Sequence, residues 1–290
     1  VIARVSLRSV RVLLLTFGAV GLGLAGCTSG GGRATATPAP SRTVTLTGTV
    51  AASATGAVAR PSSTPTVAPI STSTPVATAT PGPATAVYRG DPSRRMVALT
   101  FDAGADAGYT QQILETLRAE HVRASFSVTG KWAEENRDLL LAIAADGHLL
   151  INHSYDHASF TGASTGTAAL TAEERALELS RTETTVYHLT GRTTRPYFRP
   201  PYGDIDDSVL RDVGADGYGT VVMWTVDTLG WNGATADAIV QRCLSMAEPG
   251  AIYVMHVGSE SQDAAALARV IEGLRAAGYG FGTIEEVVGR

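Results

Sequence analysis

Cysteine is scarce: the 290-residue chain has two, Cys27 and Cys243. They leave a single pairing, so a disulfide framework does not hold this fold together. Residues 28–86 lack Lys, Asp, Glu and every aromatic residue, yet hold eight of the 13 prolines. Such a stretch cannot bury enough apolar area to offset its chain entropy, which excludes a packed core there and predicts an extended linker. No basic cluster and no matching motif is present, which argues against a nucleic-acid partner. No Gly-x-Gly-x-x-Gly follows the first predicted strand, so a dinucleotide fold is unsupported. The apolar run at 12–24 is too short for a comfortable membrane span.

That run has a different meaning. Arg4, Arg8 and Arg11 precede it, and it ends in Leu24-Ala25-Gly26-Cys27. The pattern resembles a bacterial lipoprotein signal, with Cys27 as the lipidated residue; a plain secretory signal or an anchor helix is the alternative. The expected organisation is a signal at 1–26, a Thr/Ala/Pro/Ser-rich linker at 27–86 and a globular domain at 87–290. More than one acyl chain on Cys27 would anchor the domain stably to the outer face of the bacterial membrane. Cys243 sits in a helical pattern and reads as a small buried apolar residue.

Every Trp, every Tyr and all but one Phe fall after residue 86. Apolar runs predict strands at 96–101, 124–128, 149–152, 197–199, 221–226, 252–256 and 279–283. Between them, helical patterns occupy 109–120, 132–146, 172–190, 208–213, 235–247 and 264–277. Thr171 followed by Glu174 predicts a capping box. Repeated β-then-α units with short joins predict a parallel sheet, as a distorted (β/α) barrel; an open doubly wound sheet is the alternative.

Catalytic groups in such folds gather at the C-terminal ends of strands. Here those ends carry Asp102, then His153 and His157, then Arg199, Asp227 and His256. Each alone is more often structural than functional; their convergence from five strands is the signal. His153 and His157, four apart in "NHSYDH", would share one face of a helical turn, within reach of one metal. In "YFRPPYG" the two prolines stiffen the backbone ahead of Tyr202. "WTVDTLGW" presents Trp231 four residues after Asp227, where an aromatic ring suits stacking on a sugar as well as core packing.

The motifs TFDAG, HSYDH, RPPY, DTLGW and VMH, in this order, resemble the NodB-like polysaccharide deacetylases, carbohydrate esterase family 4, over residues 94–290. The resemblance implies a distorted (β/α) barrel and a metal-dependent hydrolase, commonly using zinc, that removes N-acetyl groups from peptidoglycan or chitin-like sugars, or O-acetyl groups from xylan. It implies Asp102 as the general base toward a metal-activated water, and His153 and His157 as metal ligands. Arg199 would hold the base, and Tyr202 would offer its backbone N–H to the oxyanion. Asp227 would orient His256 and raise its proton affinity, and His256 would protonate the leaving amine. Trp231 and Val254 would shape the groove and the acetyl pocket.

One position departs from the family. Its first motif usually reads Thr-Phe-Asp-Asp-Gly, the second Asp being a third metal ligand, where this chain has Ala103. Three readings stay open: His153, His157 and waters hold the metal; Asp106 supplies the third ligand, unless it caps the following helix; or the site is dead and the protein only binds glycan.

Overall fold

The computed structural model describes residues 82–289. The expected signal, Cys27 and the linker up to residue 81 lie outside the described residues. The last few residues assigned to the linker do not: Thr85–Val87 is strand β1, paired in parallel with Thr220–Val222, strand β6. Composition placed the boundary too late because β1 is edge backbone, built of small residues and held by its hydrogen bonds.

Strand β2, Met96–Ala103, is the centre of the domain. Its parallel partners are β3, Ser125–Val128, on one side and β8, Ile252–His256, on the other, while β9, Gly280–Phe281, pairs with its first two residues. Strand β4, Leu149–Asn152, follows β3, then β5, Tyr197–Phe198, then β6. Strand β7, Val226–Asp227, pairs with β8. The sheet order is therefore β1-β6-β5-β4-β3-β2-β8-β7. Its two ends meet, because β6 and β7 are one stretch of chain interrupted at 223–225. The expected strand at 221–226 is thus broken. Met223 N–H still reaches Val87 of β1, whereas Thr225 N–H reaches Ile252 of β8. The break is where the chain changes neighbours and closes the distorted barrel.

Helices cover the outside: α1, Thr110–Ala119; α2, Gly130–Glu135; α3, Arg137–Ala145; α4, Ala172–Thr190; α5, Asp207–Ala215; α6, Ala236–Ser245; α7, Asp263–Ala276; and α8, Ile284–Val288. The single helix expected at 132–146 is two. Asn136 leaves helical geometry at φ −121°, ψ 44°, and its side-chain amide donates to Trp132 O. A short amide that bonds the backbone locally competes with helix propagation. Sequence periodicity missed α8, which is little more than one turn. It is held by a capping box between Thr283 and Glu286. The Thr171–Glu174 box is present, and Gly191 closes the same helix at φ 69°.

Alternation along β2 divides the domain. Leu99, Phe101 and Ala103 belong to the apolar layer beneath the helices, with Phe126, Val128 and Trp132. Thr100 and Asp102 point the other way, into the barrel. Replacing Thr171 with Ala should destabilise the domain by about 1 kcal/mol, lowering the melting temperature by about 2–4 °C in a thermal unfolding curve.

Candidate active site

The strand ends open into a cleft of about 690 Å³ whose lining includes Asp102, His153, His157, Asp227 and His256. At its floor, Arg199 is fully buried. Its Nη1 donates to Asp102 Oδ1 at 2.7 Å and to Thr100 Oγ1 at 2.8 Å. Its Nε donates to Val222 O at 3.1 Å and its Nη2 to Met223 O at 3.4 Å, two carbonyls at the break between β6 and β7. Thr100 passes the network on by donating to Tyr253 O at 2.6 Å.

Burial alone would raise the carboxyl of Asp102, but Arg199, with His153 and His256, outweighs it and holds the group at about 2. Asp102 is therefore ionised at neutral pH. Nδ1 of His153 stands 2.8 Å from Arg199 O. A carbonyl only accepts, so Nδ1 carries the proton and Nε2 keeps its lone pair. Burial pushes His153 down to about 4, which keeps the ring neutral; burial also lowers His157. Nε2 of His153 lies 3.8 Å from Asp102 Oδ2. Two acceptors facing each other without a proton between them make a place that a cation satisfies.

The expected helical turn at "HSYDH" is absent. Ser154 and His157 both take positive φ, 65° each, and the segment is an irregular loop. Glu178 of α4 shapes it, accepting the N–H groups of Tyr155 at 2.8 Å and Asp156 at 3.1 Å. The two rings still meet, edge to face, with centroids 4.9 Å apart. Tyr202, at φ 62°, sets its ring 4.7 Å from His157 on the other side. The glycine of TFDAG has a steric reason to be there: a Cβ on Gly104 would stand 3.0 Å from Thr129 Cγ2 and 3.3 Å from His157 Cδ2.

Two readings need correction. Asp106 does not complete a metal site, and it does not cap α1. Its carboxylate accepts Ser259 N–H at 3.0 Å and the Ser259 hydroxyl at 2.5 Å. The N-cap of α1 is Tyr109, which has no side-chain cap bond. Asp106 instead ties the loop after β2 to the loop after β8. Among the described residues, no three His, Cys, Asp or Glu side chains cluster as a metal site. Asp227 also has other work. It accepts Leu229 N–H at 2.8 Å, and the indole N–H of Trp231 lies 3.3 Å from both of its oxygens. The carboxylate in reach of His256 is Asp263, which sequence reasoning missed: it opens a helix, seven residues past the motif, with nothing to mark it. Trp224, also missed, lines the cleft beside Trp231 and Val254. It lies in the broken strand, which the apolar pattern presented as core.

A family model described as polysaccharide deacetylase matches residues 89–221, a span that includes Asp102, His153, His157, Arg199 and Tyr202. The peptidoglycan-N-acetylmuramic acid deacetylase PdaA of Bacillus subtilis is 32% identical over 206 residues, covering 70% of this chain and 75% of the relative. The chain belongs to the polysaccharide deacetylase family. A peptidoglycan-N-acetylglucosamine deacetylase of Bacillus cereus is also 32% identical, over 68% of this chain and 70% of the relative. Among solved structures, a family 4 carbohydrate esterase pseudoenzyme from Bacillus anthracis superposes with a TM-score of 0.64 at 32% identity, over 70% of this chain and 69% of that one. The fold is thus the NodB-type distorted (β/α) barrel, and the protein is a deacetylase, a hydrolase.

A carboxyl whose value falls on folding, here from 3.8 to about 2, stabilises the fold above its unfolded value, and the contribution is lost as pH falls through 2. Shifts of this size are worth about 2 kcal/mol. The stability difference between the deacetylase and its Asp102→Asn variant should therefore be largest above about pH 5 and shrink toward pH 2, read from denaturant unfolding at a series of pH values.

Proposed function

We propose that this deacetylase removes N-acetyl groups from the amino sugars of peptidoglycan. The observation that carries the reading is the convergence of an ionised carboxylate, Asp102, on its buried guanidinium, Arg199, with His153, His157 and His256 around one cleft. Relatives whose names specify peptidoglycan N-acetyl sugars support the substrate class.

His153 and His157 fit a divalent metal, zinc by family resemblance, because the lone pair of His153 Nε2 is free beside an opposing carboxylate oxygen. Neither Ala103, packed in the apolar layer, nor Asp106 adds a protein ligand. Bound there, a divalent metal supplies Lewis-acid polarisation and lowers the proton affinity of water. The rest is the work of the chain. Asp102 takes a proton from the attacking water, and Arg199 keeps the carboxylate aimed. The water oxygen bonds to the acetyl carbon. The Tyr202 backbone N–H is offered to the oxyanion. As the carbon–nitrogen bond breaks, His256 gives its proton to the departing amine, and acetate leaves. Trp224 and Trp231, the latter about half exposed, offer ring faces to the glycan, and Val254 closes the acetyl end.

Acetate release from N-acetylated peptidoglycan, chito-oligomers and acetylxylan, compared side by side, tests this reading. Release from the first, abolished by chelation and restored by zinc or cobalt, is expected. Asp102→Asn and His256→Ala should each cost about 10²–10⁴-fold in rate. Preference for acetylxylan would make the protein an O-acetyl esterase. No release with either metal would leave glycan binding as its role. We also propose lipid anchoring through Cys27, outside the cytoplasm. Cys27→Ala should move the protein from the membrane fraction to the soluble one.

A further inference from the structure

Nδ1 of His256 is buried beside the cleft with no hydrogen-bond partner, and the Thr228 hydroxyl stands beside the neighbouring carboxyl of Asp263. Nδ1 of His256 lies 4.0 Å from Oδ2 of Asp263. Asp263 is fully buried at the start of α7. A carboxylate in such a place needs partners. Oδ2 finds two, the His256 backbone N–H at 2.8 Å and the Ser261 hydroxyl at 2.8 Å. The carboxylate is thus clamped to the backbone of the residue whose ring it faces.

Gly230 leaves it the room. A Cβ at that position would stand 2.4 Å from Ser261 Oγ and 2.6 Å from Asp263 Oδ2, too close for any side chain. Asp227, three residues earlier, accepts the Leu229 N–H and lies beside the Trp231 indole N–H.

We infer that Asp263 is a carboxylate that orients His256 and balances its positive charge, seated in space that a glycine at 230 leaves open. This rests on the reading of His256 as the proton donor to the amine. Nδ1 is buried toward Asp263, so the other ring nitrogen, Nε2, is the one on the cleft side. A movement of about 1 Å would bring Nδ1–H into hydrogen-bond range of Oδ2, a tightening common between free and substrate-bound sites. Asp263 is a positioning residue: it acts through the imidazole and touches no substrate.

The other titratable groups around the pair are few. Asp102 of β2 favours a charged His256, as Asp263 does, and His157 of the loop after β4 opposes it. Cys243 of α6 faces Asp263. Burial, reinforced by that carboxylate, pushes its thiol up to about 12, so it stays neutral. Asp227 of β7 also lines the cleft.

The test is nitrogen-15 NMR of the histidine rings in the full chain, which needs no turnover. Asp263→Asn keeps the shape and removes the charge. It should lower the titration midpoint of His256 by about one pH unit and reduce the share of the Nδ1–H tautomer. Gly230→Ala, which evicts Asp263 from its seat while leaving both titrating side chains chemically intact, should shift His256 in the same direction as Asp263→Asn, and it decides the matter should Asp263→Asn fail to fold. Kinetically, Asp263→Asn should reduce kcat by about tenfold or more with KM kept, and narrow the pH profile on its alkaline side. A His256 signal unmoved by Asp263→Asn in a folded protein overturns the inference. If the protein releases no acetate at all, the proposed reaction falls, while the ring signals still answer for Asp263.

Discussion

The buried guanidinium of Arg199 is the constraint on which the site depends. Its donors reach two separate pieces of chain: the side chains of Thr100 and Asp102 on β2, and the carbonyls of Val222 and Met223 at the broken strand. Its own carbonyl fixes the tautomer of His153. One residue thus sets the charge of Asp102, the lone pair of His153 and the seam of the barrel. A buried cation is tolerated only when most of its donors are met, and here the barrel's need for a partner at its seam meets the arginine's need for acceptors. Folding and preparation of the site are therefore one event.

Around that floor the rim stores backbone strain. Four of the non-glycine residues with positive φ, Ser154, His157, Tyr202 and Leu229, lie in the loops that carry the site. Such conformations cost about 1–3 kcal/mol each and persist only where the surroundings over-determine them. The surroundings here are specific: Glu178 grips the loop of Ser154 and His157, and Asp227 accepts the N–H of Leu229. The first loop is held by a carboxylate from a neighbouring helix and the second by one two residues earlier in its own segment.

Much of this was legible in the sequence, and the limits have physical reasons. Strands 149–152 and 252–256 and the helix at 172–190 have clear apolar or capping signals, and their bounds agree with the structure. The broken strand and the split helix look continuous because apolar patterning reports burial, while the breaks arise from a change of hydrogen-bond neighbour and one asparagine amide. In the site, strand ends located Asp102, His153, Arg199 and His256. The partners of Asp106 and Asp227 were not legible because a carboxylate's partner is set by loops that meet only in the folded chain. Asp106 is consumed by Ser259, more than 150 residues away, and Asp263 comes from a helix that no motif marks.

The two buried carboxyls that flank the cleft have been pushed in opposite directions by their neighbours. Asp102 sits against a fixed cation and is held near 2; burial raises Asp263, which has only the imidazole of His256 as a charged partner. Environments that separate two like groups in this way divide acid work from base work. A permanent guanidinium commits Asp102 to accepting protons, because its charge never leaves. A titratable partner leaves the proton between Asp263 and His256 transferable, because either group can surrender the charge that stabilises the other. A fixed cation beside His256 would disfavour the imidazolium that the proposed protonation of the amine requires. The asymmetry of the cleft is thus set less by which acids are present than by whether the group facing each acid can titrate.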